Sequence, residues 1–344
     1  MTMSDATESA RDHRLKPLTP AMLRELSLRS DFEGAVRIAS HYAVVLVLGT
    51  LIWRISASSG ATLGLLWALP LMALQGYFVA FLFMPMHETA HKTAFLSHGL
   101  NIGVGYLCAF IIALPYEYYC LFHWDHHRHT QDPERDPELI VGVKPTSDAQ
   151  LAVAYSGLLQ LAGRVRLMII HAVTGNVTVP WVPAKERGLV VTEARVYLGL
   201  YALLFALSLW FSTAVLLWVW IIPLLFGQLI LRPYLYAEHT GCERGRSAFR
   251  NTRTTATGRI MKWFAWNMPY HVEHHAYPSV PFHALPRLNQ LVDDEIVYRG
   301  RSYRAVARET VAWFRRQWQM PALVHDEIRL NADGIADHTP STGG

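Results

Sequence analysis

Val196 to Leu231 reads VYLGLYALLF ALSLWFSTAV LLWVWIIPLL FGQLIL. These thirty-six residues lie between Arg195 and Arg232 and hold no Asp, Glu, Lys or Arg. As one helix the run would be about 54 Å long, well beyond a hydrocarbon core of about 30 Å. It therefore reads as two membrane spans, about 196–212 and 213–231, with a tight turn near Ser212 and Thr213. Toward the N-terminus two more uncharged runs appear. Ile38 to Trp53 is bracketed by Arg37 and Arg54, whose long side chains can snorkel to the interface. Ala61 to Met86 is ample for a span. Small, turn-forming residues, Ser56-Ala57-Ser58-Ser59-Gly60, join them into a helical hairpin. The expected spans are thus about 38–54, 61–86, 196–212 and 213–231. A further run, Gly99 to Pro115, is long enough for a short span but contains three glycines and ends in proline.

Composition supports a membrane chain. Of 344 residues, 51% are hydrophobic and only 17% charged, and mean hydropathy is +0.16. Soluble domains carry about 25% charge, so disordered proteins, coiled coils and typical cytosolic enzymes are disfavoured. Eleven Trp, fifteen Tyr and fourteen Phe suit membrane–water interfaces. The three cysteines have no CxxC spacing, so neither a disulfide framework nor a zinc ribbon is indicated. A net charge of +4 is too small to suggest a nucleic-acid partner. Residues 1–34 read as a cytosolic tail without a secretory h-region, 35–325 as one membrane domain, and 326–344 as a mobile tail. Of the 31 Lys and Arg, Arg54 alone borders a hairpin tip. By the positive-inside rule, the N-terminal, middle and C-terminal segments face the cytoplasm.

Seventeen histidines are the unusual feature, and three clusters stand out. They are His87-Glu-Thr-Ala-His91, His123-Trp-Asp-His126-His127 and His271-Val-Glu-His274-His275. His239 lies between the last span and the third cluster. On a helix, residues i, i+3 and i+4 share a face, so HxxxH presents two imidazoles together and HxxHH three. Imidazole suits iron, copper, zinc and nickel. Nine candidate ligands exceed one tetrahedral zinc and suggest two metals of higher coordination. Ligands of one site must lie on one side of the membrane. The run 196–231 must then cross an even number of times, which two spans satisfy. The run Gly99–Pro115 is inferred to dip in or lie at the interface, an inference that depends on the shared site.

These clusters resemble the three histidine boxes of the membrane fatty acid desaturase superfamily, which includes related hydroxylases. The stretch from His271 through Pro286 is similar to the third-box region of acyl desaturases, and His129-Thr130-Gln-Asp-Pro-Glu-Arg-Asp136-Pro137-Glu138 to the end of the second. The resemblance implies an all-α integral membrane enzyme with four transmembrane helices and a cytoplasmic helical cap. It implies two non-haem irons held by histidines, with molecular oxygen as co-substrate. It also implies an external electron donor, such as a ferredoxin or a b-type cytochrome with its reductase. His239 matches a ninth ligand by position. Glu238-His239-Thr240-Gly241, and His87-Glu88 with Lys92, resemble elements of membrane alkane hydroxylases instead.

The favoured activity is oxygen-dependent desaturation of a lipid acyl chain; the alternative is hydroxylation of an alkyl or other apolar substrate. A metal transporter would carry ionisable groups within its spans, and these spans are nearly free of them. Asp125, Glu238 and Glu273 are expected to orient imidazoles. Asn267 would share a helical face with His271 if Pro269 allows a helix there. His41 is expected at the interface, and His98, His129, His171 and His283 outside the ligand set. Arg244, Arg246, Arg250, Arg253 and Arg259 form either a docking face for an acidic electron carrier or contacts to lipid head groups. Ser302 to Trp318 reads as a helix on the cap or on the membrane surface.

Overall fold

The computed structural model describes residues 18–58, 61–142 and 144–319. The expected tail up to residue 17, the Ser59–Gly60 part of the first turn and the tail 326–344 lie outside the described residues. Helix α1 (Pro20–Leu26) falls within the segment read as a tail; Thr19 caps it and Leu26 is buried. The first hairpin is α2 (Asp31–Ser58) and α3 (Ala61–Phe81), and α4 (Phe83–Ala90) continues α3 after a break at Leu82. Helices α5 (His98–Ile111) and α6 (Tyr116–His129) meet at 101°. The short α7 (Pro137–Val141) follows, then α8 (Asp148–Tyr155) and α9 (Leu158–Thr174), bent by 60°. The second hairpin is α10 (Arg187–Trp210) and α11 (Ile222–His239), the latter preceded by a π-helical segment, Leu217–Ile221. Its turn falls where the sequence places it, with Ser212 at φ +48. The remaining elements are α12 (Ala248–Asn251), β1 (Arg253–Thr255), α13 (Arg259–Phe264), α14 (His271–Ala276), α15 (Leu285–Val292), β2 (Tyr298–Gly300) and α16 (Tyr303–Gln319). The strands form one short parallel pair, Arg253 opposite Tyr298; otherwise the described residues are all-α.

Among the described residues, four helices are long and apolar enough to cross a membrane: Asp31–Ser56, Leu66–Ala90, Ala184–Trp210 and Leu217–His239. All four expected spans are present, but they extend past the uncharged runs. The third starts before residue 196 because its charges are satisfied inside the protein. The Glu193 carboxylate accepts from the backbone N–H groups of Glu117 and Tyr118 at 3.0 and 3.2 Å, and Arg195 donates to Ala172 O at 2.9 Å. The fourth runs on from residue 231 to His239.

Each irregularity in the bundle has a chemical cause. Pro85 lacks an N–H, and its ring would meet the Phe81 carbonyl in a continuous helix. At the resulting break Leu82 N–H bonds back to Val79 O, which frees the Phe78 carbonyl. His41 donates to that carbonyl from Nε2 at 2.8 Å and is fully buried. It is thus an internal cap and does not reach the interface. Likewise Pro223 leaves the Val219 carbonyl without its helical donor. Gln75 takes it at 3.3 Å and reaches Val45 O at 3.1 Å, joining α2, α3 and the π segment. Helices α3 and α11 touch backbone to backbone at Gly76 and Gly227: a Cβ on Gly76 would lie 2.5 Å from Pro223 O and 2.8 Å from Gly227 N.

Helix α5 packs against α10, and the chain then bends by 101° into α6. The hydroxyls of Tyr197 and Tyr201 on α10 donate to Tyr106 O and Phe110 O, and Trp220 donates to Ile111 O at 2.7 Å. Of these, the bonds to Phe110 O and Ile111 O help to satisfy the last carbonyls of α5. The Gly99–Pro115 run thus lies in a helix pair bent by 101°, the shape of either a broken span or a re-entrant segment.

Candidate metal centre

Every box sits at or near a helix end, and each end is fixed by its own partners. His87 and His91 occupy the last turn and the C-cap of α4. Lys92, at φ +60, ends the helix and donates to the Tyr116 hydroxyl at 2.9 Å, which in turn donates to Thr89 O. His123, His126 and His127 share the face of α6 that their spacing predicts, and Glu193 caps that helix from α10. His239 closes α11, where Arg253 donates to Ala237 O and Thr240 O at 2.7 and 3.0 Å. His271, His274 and His275 ride on α14, six residues long, which the buried Glu273 anchors by accepting from Thr254 and Asn289 at 2.5 Å each.

The imidazoles form two abutting groups. His87, His91, His123, His127 and His274 offer five nitrogens within 4.8 Å of one another, and His126, His239 and His275 offer three more. His271 joins the second group, its Nε2 lying 3.2 Å from His239 Nε2. The groups touch where His127 stacks on His275, ring centres 4.0 Å apart. The eight histidines picked out by spacing and His239, matched by position, are thus brought together.

Partners on the far side of three of the rings bear on which nitrogen faces inward. His87 Nδ1–H meets the Tyr119 hydroxyl at 3.2 Å, His126 Nδ1–H donates to Asp136 Oδ1 at 2.9 Å, and His239 Nδ1–H donates to Asn251 O at 3.1 Å. The Nε2 atoms are then left facing one another. His87 and His274 approach to 2.8 Å, and His91 and His123 to 2.7 Å. Two neutral imidazoles at that range either share one ring's Nε2–H as a hydrogen bond or, with both lone pairs inward, take a cation between them. Burial, with neighbouring histidines, pushes the His123, His127, His271, His274 and His275 imidazoles well below their ordinary range, so protonation is disfavoured. The buried His275 Nε2 has no protein partner. A neutral imidazole set with inward lone pairs fits a soft-to-borderline metal cation. His126 differs: burial lowers it, but Glu138 and Asp136 outweigh that and hold it at about 9.

Several sequence expectations are corrected here. Asp125 pairs with His129 at 3.4 Å and with no box histidine. Glu273 anchors α14 without touching an imidazole. Glu238 alone meets the expectation, 3.6 Å from His271 Nδ1. Asn267 is not helical; its φ is +57 and its amide donates to Phe282 O at 3.0 Å, because Pro269 interrupts the segment. Arg253 is a buried helix cap and so no docking cation, while Arg250 stays on the surface, paired with Glu243 at 2.7 and 2.8 Å. Sequence reasoning missed Asp136, Tyr119 and Asn251 as orienting partners. Asp136 carried a visible signal, since Asp-Pro-Glu is a helix N-cap pattern.

The sequence model for "Fatty acid desaturase" matches residues 61–307. A zeaxanthin 4-ketolase from Chlamydomonas reinhardtii is 25% identical over 277 residues, covering 76% of this chain and 54% of that protein. The chain thus spans about half the length of that relative.

Proposed function

The chain belongs to the fatty acid desaturase family, and from that premise we propose that it is a di-iron oxidoreductase that desaturates a lipid acyl chain. The observation that carries this is the meeting of nine imidazoles, seven of them on buried residues, in two abutting groups. His87, His91, His123, His127 and His274 would hold one iron, and His126, His239, His271 and His275 the other. When bound, the irons and oxygen supply the strong oxidant that side chains lack. Desaturation takes one O2, two electrons and two protons, and releases two waters with the alkene. The electrons come from an external donor, a ferredoxin or a b-type cytochrome with its reductase. The protein's own work is orientation and shielding. Tyr119, Asp136, Asn251 and Glu238 turn imidazoles inward, and the cap elements keep bulk water away from the reacting carbon. The distribution of Lys and Arg supports a cytoplasmic cap.

A second reading has its own support. The relative named as a ketolase, and the Glu238-His239-Thr240-Gly241 element, favour oxygen insertion into an apolar substrate. Hydroxylation uses the same inputs and releases one water. Expression beside a known reductase, followed by mass spectrometry of the lipids, separates the two: loss of two hydrogens supports desaturation, and gain of oxygen supports insertion. Purified chain with no iron pair would remove both.

A further inference from the structure

A second cluster of polar groups lies beside the histidines. Helix α11 carries Gln228, Arg232 and Tyr236 at four-residue intervals on one face. Arg232 precedes His239 by two turns, about 10 Å along the axis. Helix α9 brings Gln160 and Arg164, also one turn apart. The helices meet because the turn between α8 and α9 rests on α11. A Cβ on Gly157, at φ +70, would lie 2.9 Å from Gln228 O and 3.1 Å from Arg232 Cβ, so glycine is required there. Arg164 donates to Gln228 Oε1 at 3.3 Å. The Arg232 guanidinium lies 4.4 Å over the Tyr236 ring, which stacks on Tyr155.

This arrangement leaves polar capacity unused. Arg164 Nε, Arg232 Nε, Gln160 Oε1 and the hydroxyls of Tyr155 and Tyr236 are buried with no partner. The two guanidinium groups are close enough to repel each other. Among the described residues no carboxylate lies within ion-pair distance of either. Glu138 and Glu238 act on Arg232 only from longer range. Two like charges beside a membrane-spanning helix are costly without a counter-ion. Planar guanidinium donors and two hydroxyls suit an anion with several acceptor oxygens. Leu225 and Leu229 on α11, exposed on the same side as Gln228 and Arg232, suit the hydrocarbon chain of such a molecule.

We propose that Arg164 and Arg232 bind the carboxylate or phosphate head group of one long-chain amphiphile between α9 and α11. Its source is either the substrate or a resident anionic lipid; only the first rests on the function proposed above.

The test uses the full chain in a neutral detergent, with binding read by native mass spectrometry. The probes are hexadecanoic acid, its methyl ester and phosphatidylglycerol. One acid or one phosphatidylglycerol should bind per chain, and about ten- to hundredfold more weakly after Arg164→Gln or Arg232→Gln. Binding of the methyl ester should not respond to these changes. Arg166→Gln, on the exposed side of α9, should leave all three unchanged. Arg164→Lys and Arg232→Lys keep the charge and should restore part of the affinity, which separates head-group loss from misfolding. The acid as preferred ligand marks the substrate's head group; phosphatidylglycerol alone marks a resident lipid. Failure of both anions to bind saturably, or equal binding by the double Gln variant, overturns the proposal. Iron measured on the same samples keeps it apart from the proposed function, since an iron-free chain can still bind the anion.

Discussion

Asp136→Asn is the most informative single change, because the side chain keeps its shape while its hydrogen-bond capacity changes. Asp136 is 1% exposed. Its carboxylate accepts from His126 Nδ1–H and Glu138 N–H on Oδ1, both at 2.9 Å, and from Gln131 N–H on Oδ2 at 2.8 Å. Asparagine offers one acceptor oxygen and an NH2 group. If its oxygen takes the Oδ1 place, the NH2 faces the Gln131 N–H, and a buried donor is orphaned at about 1–3 kcal/mol. If the amide flips, His126 either loses its acceptor or changes tautomer, which puts a proton on the Nε2 meant for iron. Loss of an orienting carboxylate typically lowers metal affinity about 10–100-fold, or about 1.4–2.7 kcal/mol. Iron per chain, measured by mass spectrometry against free iron, should show one of two irons needing ten- to a hundredfold more metal to load. The other iron, on the five-histidine group, should load normally. An Asp136→Asn protein that fills both sites along the wild-type curve would show that this carboxylate does not organise the centre.

Four further outcomes are expected. His274→Ala should empty the five-histidine group and His239→Ala the other, each abolishing turnover; full activity in either removes that residue from the ligand set. Gly76→Leu forces a side chain into the backbone of α11 and should cost more than the ordinary 1–3 kcal/mol of overpacking (about); an unchanged melting temperature in detergent would mean the helices do not meet there. Glu193→Ala removes the cap on α6 and should cost about 0.5–2 kcal/mol, read as earlier melting together with looser iron at the second box; normal melting would argue that the cap is idle. A cysteine placed at Ser212 should react with an impermeant maleimide in intact cells, whereas one at Arg246 should react only after lysis; the reverse pattern would invert the proposed orientation.

The existence of the spans was legible because a lipid-facing helix must lack uncompensated charge, and that lack is visible in the letters. Their ends were not legible, because Glu193 and Arg195 spend their polarity on Glu117, Tyr118 and Ala172 inside the protein. The histidine boxes were legible because helical spacing alone puts i, i+3 and i+4 on one face. The groups that turn the rings were harder to see. Tyr119 and Asn251 act across tertiary contacts that no sequence period encodes. The condition set for Asn267 is not met, since Pro269 ends any helix it would share with His271. Arg253 drops out of the basic group, because charge counts do not reveal a cation already used as a cap.

The placement of the histidines and the odd helix breaks are one phenomenon. Packed helices keep their axes about 8–10 Å apart, so imidazoles from the middle of four helices could not all reach one point. Helix ends can converge, which accounts for boxes at the last turn of α4 and the end of α11, and on the short α14. Each such end exposes carbonyl or N–H groups that lipid cannot satisfy. The protein answers with specific side chains: Arg253 at the end of α11, Glu193 at the start of α6, and the Lys92–Tyr116 pair behind α4. On α2, Arg37 donates to Trp263 O at 2.7 Å at the end of α13, just ahead of the third box. These caps tie the spans to the box helices, so a change deep in a span, such as Glu193→Ala, reaches the histidines through one hydrogen-bonded helix end and needs no contact with them.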